Sequence, residues 1–223
     1  MNLQNKNLKN SPLYEERFGY KDGWKSTVFY LVLMIILLSV LSFRTYLVSN
    51  YGGVEVSGAS MNVTLYNGEQ LLMKNTDGSD AERGDVIVVY VADYPEVIEY
   101  NRGKSEKNKL TYLIKRLIAV EGDKVKCVDG QVYVCYAGTD EFVALNEPYA
   151  YYTNRAAYDF DTYTVGEDEI FFLGDNRNNS CDSRYNEKSG SHLSGRLYKE
   201  KDIFGIVPEW AIKNQAVLQK IFF

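Results

Sequence analysis

Ser60 and Lys115 are the two residues whose types and settings could supply a nucleophile and its base. Ser60 lies in the small-residue stretch "VSGASMNVTLYNGEQLL", residues 56–72, which is a typical setting for an exposed nucleophile. The chain has one histidine, His192, in a distant segment that is predicted to be an exposed loop. Another group must therefore accept the serine proton. A lysine can do so only when burial lowers its pKa from about 10.4 towards neutrality.

The segment "TYLIKRLIAVEGDKV" contains a lysine in a suitable setting. In a strand, successive side chains alternate between two faces. The residues on the face of Lys115 are then all apolar: Leu113, Leu117 and Ala119. Arg116 falls on the opposite face and stays charged at any useful pH, so of these two residues only Lys115 can serve as a base. A lysine that caps the strand or pairs with an acid is the alternative interpretation.

A third segment, "FFLGDNRNNSCDSR" at residues 171–184, is dense in polar side chains where an apolar strand ends. Asx and Ser turns use the same residue types, so a self-capping loop is one interpretation. The other interpretation is a group of supporting residues that orients the reactive pair.

The segments between these motifs predict a mainly β domain. Short β-like runs alternate with turn signals over residues 54–207, which favours a folded-over sheet or a barrel. Residues 93–109 are polar enough for an exposed loop, and residues 144–164 are expected to form an irregular excursion. Residues 124–170 would then form a small cap on a catalytic domain that covers residues 49–223.

An apolar segment near the N-terminus predicts a single transmembrane helix. Residues 27–43 contain no charge, and the wider span 24–48 reaches the length that a bilayer requires. Arg44 would lie near the helix end, where its head group can reach the interface. A cleaved signal peptide and a buried helix of a soluble protein are the alternatives. A polar cytoplasmic tail, residues 1–23, would precede the span.

The distribution of charge predicts the orientation of this span, and the net charge argues against one class of partner. Five basic and three acidic residues precede the span, so the positive-inside rule predicts a cytoplasmic N-terminus and an extracytoplasmic domain. The net charge of −5 argues against a general nucleic-acid binder.

The three cysteines lack the spacing of a zinc site. In a hairpin with a two-residue turn, Cys127 and Cys135 would be offset by about 10 Å, too far for a disulfide, whereas a different turn register would bring them closer. The apolar C-terminus, "AVLQKIFF", is expected to pack on the domain rather than to enter the membrane surface.

Taken in order, the three segments resemble those of the type I signal peptidases. These are membrane-anchored Ser/Lys endopeptidases that remove signal peptides from exported proteins. The family pattern Ser-Met-x-Pro-Thr-Leu corresponds to residues 60–65, and Lys-Arg followed by Pro-Gly-Asp to residues 115–123. The pattern Gly-Asp-Asn-x-x-x-Ser-x-Asp-Ser-Arg corresponds to residues 174–184. Val63 and Glu121 replace family prolines, but neither replacement removes a reactive atom. Without the large insertion of some relatives, the chain is similar to the compact Gram-positive form.

The resemblance implies a role for each residue around the nucleophile. Ser60 would attack the scissile carbonyl, and Lys115 would act as general base. The backbone N–H of Ser60 would donate to the oxyanion. Some relatives add a serine hydroxyl at the position of Gly58, so a backbone group or Ser57 would complete the oxyanion hole here. Met61 would pack beneath the substrate.

The resemblance also implies that the third segment supports this pair. Ser180 is expected to hydrogen-bond the catalytic lysine and to hold its amine towards the serine. Asp182 and Arg184 would form a structural ion pair, and Asp175 and Asn176 would form the turn beneath it.

The implied function is the cleavage of exported preproteins after small residues at the outer face of the cell membrane. The partners would be preproteins with signal peptides, membrane lipid and the secretion translocon, with no nucleic acid, metal or cofactor. The alternative is a catalytically impaired, membrane-anchored chaperone or assembly module for surface proteins. Val63 is the only sequence support for that alternative, and the presence of both Ser60 and Lys115 argues against it.

Overall fold

The first described segment of the chain, Gly23–Asn50, is one long apolar helix. The structure is a computed structural model that describes residues 23–155, 158–184 and 197–222. Its contacts divide the chain into two compact units, Met1–Ser49 and Asn50–Phe223. The described part of the first unit belongs to helix α1 (Gly23–Asn50). Among the described residues, one helix is long and apolar enough to cross a membrane, Trp24–Asn50. Its 27 residues extend over about 40 Å, more than the roughly 30 Å of a bilayer core.

The second unit is mainly β, which confirms the predicted fold class. The described strands are β1 (Tyr51–Glu55), β2 (Gln70–Asn75), β3 (Val86–Tyr90), β4 (Tyr112–Val120), β5 (Lys124–Val128), β6 (Gln131–Cys135), β7 (Val143–Ala144), β8 (Phe160–Thr164), β9 (Glu169–Leu173), β10 (Tyr198–Lys199) and β11 (Ile203–Val207). They form a seven-stranded sheet in the order β1-β2-β11-β3-β4-β9-β10 and a four-stranded sheet in the order β7-β6-β5-β8. The second sheet accounts for most of the predicted cap.

The central strand β3 explains how the larger sheet is stabilised. Residues 86–89 are all buried, as expected for a short continuous apolar run. Ile87 and Val89 belong to a core cluster on one face, whereas Val86 and Val88 belong to a second cluster on the other. The sheet is therefore covered on both faces, which fixes its register because a slip by one residue would exchange the two sets.

A β-bulge in β4 changes the face on which one predicted neighbour of the lysine lies. The register of β4 against β9 shifts between Leu117 and Ala119. Leu113 and Leu117 lie in the same core cluster, but Ala119 packs with Ile118 in the cluster beneath the four-stranded sheet. The expectation that Ala119 shares the face of Lys115 is therefore wrong, because strict alternation fails at the bulge.

The hairpin β5–β6 has the predicted register. Its turn contains Asp129 and Gly130, both with positive φ, as a two-residue turn of this type requires. Cys127 lies opposite Val132, and Cys135 lies three residues out of register with Cys127. Both cysteines are free.

Three other segments refine the sequence-based expectations. Residues 93–109 are not simply a loop: they contain helix α2 (Pro95–Asn101) and a 3₁₀ turn at Glu106–Asn108. The predicted irregular excursion ends in β8. The chain closes with α3 (Glu209–Lys213) and α4 (Gln215–Phe222), and Leu218 of α4 packs against the core as expected.

Candidate active site

The loop that carries Ser60 is held by the third predicted segment. The backbone N–H of Asn176 donates to the Ser60 carbonyl at 3.0 Å, and its side-chain amide donates to the Ala59 carbonyl at 3.0 Å. Gly174 allows this close approach. A Cβ added at Gly174 would lie 2.5 Å from the Ser60 carbonyl oxygen and 2.5 Å from Ser180 Cβ. The glycine and the amide therefore set the distance between the two loops.

Lys115 projects from β4 onto the serine. Its amine donates to Ser60 Oγ at 2.8 Å and to the carbonyl oxygen of Ile114 at 2.9 Å. The residue is only 3% exposed. Burial lowers the pKa of Lys115 from 10.5 to about 8, although the charge of Asp182 opposes this shift. A substantial fraction of the amine is therefore neutral near pH 8, as a base requires.

A buried ion pair joins the lysine strand to the loop beneath the serine. Arg116 binds both carboxylate oxygens of Asp175, at 2.8 Å and 2.6 Å. Thr64, four residues after the nucleophile, donates its hydroxyl to the same carboxylate at 2.6 Å. Bidentate contacts of this type fix orientation as well as charge. Asp175 therefore connects all three motif segments, and the roles of Arg116 and Thr64 were not predicted.

Asp182 and Arg184 lie together as predicted, but Ser180 does not make the predicted contact. Arg184 Nε lies 3.1 Å from Asp182 Oδ1, and the backbone N–H of Gly174 donates to the other carboxylate oxygen at 3.1 Å. Burial raises the pKa of Asp182 despite the opposing charge of Arg184. Ser180 lies close enough to Asp182 to help lower that pKa, yet its hydroxyl makes no well-aligned hydrogen bond within the described part of the chain. The amine of Lys115 is held by the Ile114 carbonyl instead.

The backbone donor of the nucleophile itself is available to an oxyanion. The N–H of Ser60 makes no hydrogen bond with any described residue. The N–H of Gly58, an expected oxyanion donor, instead donates to Asn67 Oδ1 at 2.8 Å. Gly58 is therefore unsuited to this role, because its donor is engaged. Ser57 is exposed and lines the cleft, and Met61 is buried beneath it.

A second buried ion pair attaches the excursion to the same loop. Arg177 is fully buried and binds Glu147 through two nitrogens, at 2.9 Å and 2.5 Å. The backbone of Tyr151 donates to the Asp175 carbonyl at 2.8 Å and accepts from Arg177 at 2.9 Å. Sequence reasoning missed Glu147 because the excursion has no periodic pattern, although Arg177 lies inside the matched motif.

Ser60 and Lys115 open onto a cleft of about 980 Å³ between two unpaired strand edges. β1 lies at the end of its sheet, and residues 53–56 line one side of the cleft. β9 pairs with β4 only from Arg116 onwards, so no described strand covers the edge of residues 112–115 on the other side. An extended peptide can therefore add to the sheet beside the reactive pair. No cluster of three potential metal-binding side chains occurs in residues 23–155, 158–184 and 197–222.

Comparisons with known proteins identify the family of this chain. The profile of the family described as "Signal peptidase, peptidase S26" matches residues 25–219. Signal peptidase I P of Bacillus subtilis subsp. natto is 29% identical over 184 residues, which cover 78% of this chain and 82% of that protein. Signal peptidase I U of Bacillus subtilis (strain 168) is 32% identical over 164 residues, which cover 69% and 75%. A signal peptidase I structure from Enterococcus faecalis V583 aligns with a TM-score of 0.38 at 23% identity, over 58% of this chain and 98% of that chain. Since the family profile covers most of its length, the chain belongs to the signal peptidase, peptidase S26 family.

Proposed function

We propose that this signal peptidase removes signal peptides with a Ser60–Lys115 dyad. The observation that carries the proposal is the 2.8 Å contact between Ser60 Oγ and an amine that is almost fully buried. A serine hydroxyl is a weak nucleophile until a base accepts its proton. Burial lowers the pKa of Lys115 to about 8, so this base is available near neutral pH.

In the first step, neutral Lys115 takes the proton of Ser60 Oγ while Oγ attacks the scissile carbonyl carbon. The resulting ammonium group then donates its proton to the leaving amine as the C–N bond breaks, and an acyl-enzyme remains. In the second step, water attacks the acyl carbon while the lysine accepts a proton from that water. The ammonium group then returns this proton to Ser60 Oγ as the ester C–O bond breaks, which releases the carboxylic acid product and restores the enzyme. The Ile114 carbonyl holds one amine hydrogen throughout and so keeps the lone pair directed at the serine.

The developing oxyanion is stabilised by the free N–H of Ser60. This donor is part of the nucleophile residue, and the hydrogen bonds from Asn176 hold the backbone on either side of it. Ser57 is the remaining candidate for a second donor, because the N–H of Gly58 is engaged by Asn67. One removed donor costs roughly 3–4 kcal/mol of transition-state stabilisation in comparable sites.

The substrate binds as an extended strand between the edges of β1 and β4. Small residues before the scissile bond fit because Leu113 and Met61, which line the cleft beside the reactive pair, lie beneath the peptide and limit the space for its side chains. Leu117 is fully buried in the core and does not contact the substrate. A pocket of this kind discriminates against a substrate with one misplaced methylene by about 1–3 kcal/mol of transition-state binding free energy.

Helix α1 anchors the enzyme in the cell membrane, with its N-terminus in the cytoplasm and the β domain outside. The length and apolar surface of the helix support the anchor, and the excess of basic residues before it supports the orientation. Membrane lipid and the secretion translocon are then its neighbours, and exported preproteins reach the cleft at the outer face. The assembly-module alternative is not favoured, because the family and the matched relatives are named for peptidase activity.

Cleavage of a purified preprotein, with mass analysis of the new N-terminus, tests the dyad. Ser60→Ala and Lys115→Ala are expected to abolish cleavage, whereas Lys124→Ala, an exposed lysine on β5, is the matched control. All variants should show the same thermal transition within a few degrees, so that loss of activity is not loss of folding. Full activity of Lys115→Ala would refute the assignment of the base.

A further inference from the structure

The cleft continues beyond the reactive pair onto three exposed aromatic side chains, Tyr100, Tyr112 and Phe204, here called the aromatic platform. The rings of Tyr112 and Phe204 are in contact, with centroids 5.0 Å apart. Each platform residue is 40–45% exposed in the cleft that also holds Ser60 and Lys115. Lys104 Nζ lies 3.0 Å from the centre of the Tyr100 ring, so the open apolar surface belongs mainly to Tyr112 and Phe204. The catalytic step uses none of these three residues.

A β-bulge exposes the ring of Phe204. In β11, Ile203 lies opposite Val89 and Gly205 lies opposite Val88, so Phe204 has no partner in β3. Bulges next to active sites re-aim a side chain, and here the extra residue contributes its ring to the cleft. The following residue, Gly205, is closely packed: an added Cβ would lie 2.7 Å from the sulfur of Met73 and 3.1 Å from the backbone carbonyl oxygen of Lys74. A phenylalanine on a strand that is paired on both sides would otherwise be expected in the core.

The position of the platform relates it to a definite part of the substrate. Tyr112 precedes Lys115 by three residues on the same strand, which corresponds to about 10 Å along β4. A peptide that adds to the open edge at residues 112–115 therefore passes the platform about three or more positions from the scissile bond. Small side chains beside the serine and a large apolar one further along would fill the cleft.

We propose that the aromatic platform is a subsite for a large apolar side chain of the signal peptide, about four to six residues before the scissile bond. A signal peptide has an apolar segment that ends shortly before its small-residue cleavage site. The exposed rings match the chemistry of that segment, and their continuity with the catalytic cleft places them on its path. No comparable apolar segment is required after the scissile bond. The inference rests on the proposed function and extends it to substrate selection.

Paired peptides that differ only in one residue test the subsite on the full-length enzyme in detergent. In each of three pairs, one peptide carries Leu and the other carries Ser at the fourth, fifth or sixth position before the scissile bond. One further pair makes the same change at a position after the bond. The wild type is expected to prefer Leu by about tenfold in kcat/KM at one of the positions before the bond, as partial burial of one leucine predicts. Phe204→Ala should reduce this ratio to about twofold or less, since it removes most of the ring surface.

Two further variants keep this test decisive. Phe204→Leu retains apolar surface and should keep most of the preference. Val143→Ala shortens a side chain that is 49% exposed on the four-stranded sheet, and it should leave the Leu-to-Ser ratio unchanged. Thermal denaturation of each variant separates a lost subsite from a lost fold.

Three outcomes would overturn the subsite. The Leu-to-Ser ratio could be unaltered in Phe204→Ala, or the preference could appear only after the scissile bond. Alternatively, Phe204→Ala could slow both peptides equally, and only in vesicles of anionic phospholipid, which would assign the platform to lipid. Failure of the proposed function would give a different result, because the Ser60→Ala variant would then still cleave the peptides, whatever their Leu-to-Ser ratio of kcat/KM.

Discussion

The hydroxyl of Thr64 donates to the carboxylate of Asp175 at 2.6 Å, and this carboxylate also binds two nitrogens of Arg116. The contact links the nucleophile loop to the residue next to the lysine on β4. The distance between Ser60 and Lys115 therefore depends on a shared carboxylate as well as on the packing of each segment.

Thr64→Val should destabilise the domain while conserving the shape of the side chain. A hydrogen bond to a charged group contributes about 1.5–3 kcal/mol, and Thr64 is only half-buried, so a loss of about 1–2 kcal/mol is expected. Urea unfolding measures this change, and Thr64→Ser, which keeps the hydroxyl, is the control. Equal stability of the valine and serine variants would contradict the contact.

The pH dependence of cleavage should report the buried lysine. Since only the neutral amine accepts the serine proton, kcat/KM is expected to rise with pH through a midpoint at about 8. Ser60 and the substrate amide do not titrate in this range. A profile that is flat from pH 6.5 to 9.5 would contradict the role of Lys115 as the base.

The same lysine should make stability depend on pH in a defined direction. Its pKa falls from 10.5 to about 8 on folding, so the unfolded chain binds more protons between these values. The free energy of unfolding therefore rises with pH across this window, by up to roughly 3 kcal/mol at about 1.4 kcal/mol per pH unit. Below pH 8 the penalty for the buried ammonium group is fully present. Lys115→Met should lack this rise in urea unfolding series at matched pH values.

Asp182→Asn should move the rising limb of the rate profile to lower pH. The Asp182 carboxylate favours the ammonium form of Lys115, so replacing it with a neutral amide lowers the pKa of the lysine further. The midpoint is the readout, because kcat alone would also respond to the lost ion pair with Arg184. Asp161→Asn, an exposed acid on β8, should leave the midpoint in place. A shift to higher pH would contradict the electrostatic argument.

His192 lies outside the described residues, and it is predicted to take no part in catalysis. His192→Ala should keep kcat/KM within about twofold of the wild type, since a Ser/Lys dyad needs no imidazole. Kinetics on the preprotein at pH 8 measure this ratio. A loss of more than tenfold, without a change in thermal stability, would require a histidine in the mechanism.

How far the sequence predicted the site depends on the range of the interactions involved. Lys115 follows from the alternation of its strand, and Ser60 from its small-residue segment, whereas the Asp182–Arg184 pair follows from the family resemblance alone. The binding of Arg116 to Asp175 joins positions 59 residues apart and has no local signature. The pattern of β4 placed Arg116 on the far face correctly but gave no indication of its partner.

The expectations that failed concern features that have no local signal in the sequence. Alternation in β4 predicted Ala119 on the face of Lys115, but a bulge moved it, and bulges have no reliable sequence signal. The polar composition of residues 93–109 hid α2, whose buried side chain is a single valine, Val97. Ser180 was assigned a partner by resemblance, whereas the lysine is held by the carbonyl of its own neighbour, Ile114. Backbone acceptors of this kind cannot be read from residue types.

Gly174→Ala should impair catalysis by displacing the nucleophile. The added Cβ would come closest to Ser180 Oγ and would lie 2.5 Å from both Ser180 Cβ and the carbonyl oxygen of Ser60, which is a backbone atom. The serine backbone must therefore move, and a misplacement of about 1 Å at a reacting group can reduce the rate roughly 100-fold. Gly166→Ala is the matched control, because its nearest neighbour is the flexible carboxylate of Glu169. A fall in kcat for Gly174→Ala, but not for Gly166→Ala, is expected in single-turnover cleavage of the preprotein. Wild-type kcat in a folded Gly174→Ala enzyme would show that the spacing between the two loops does not limit the attack.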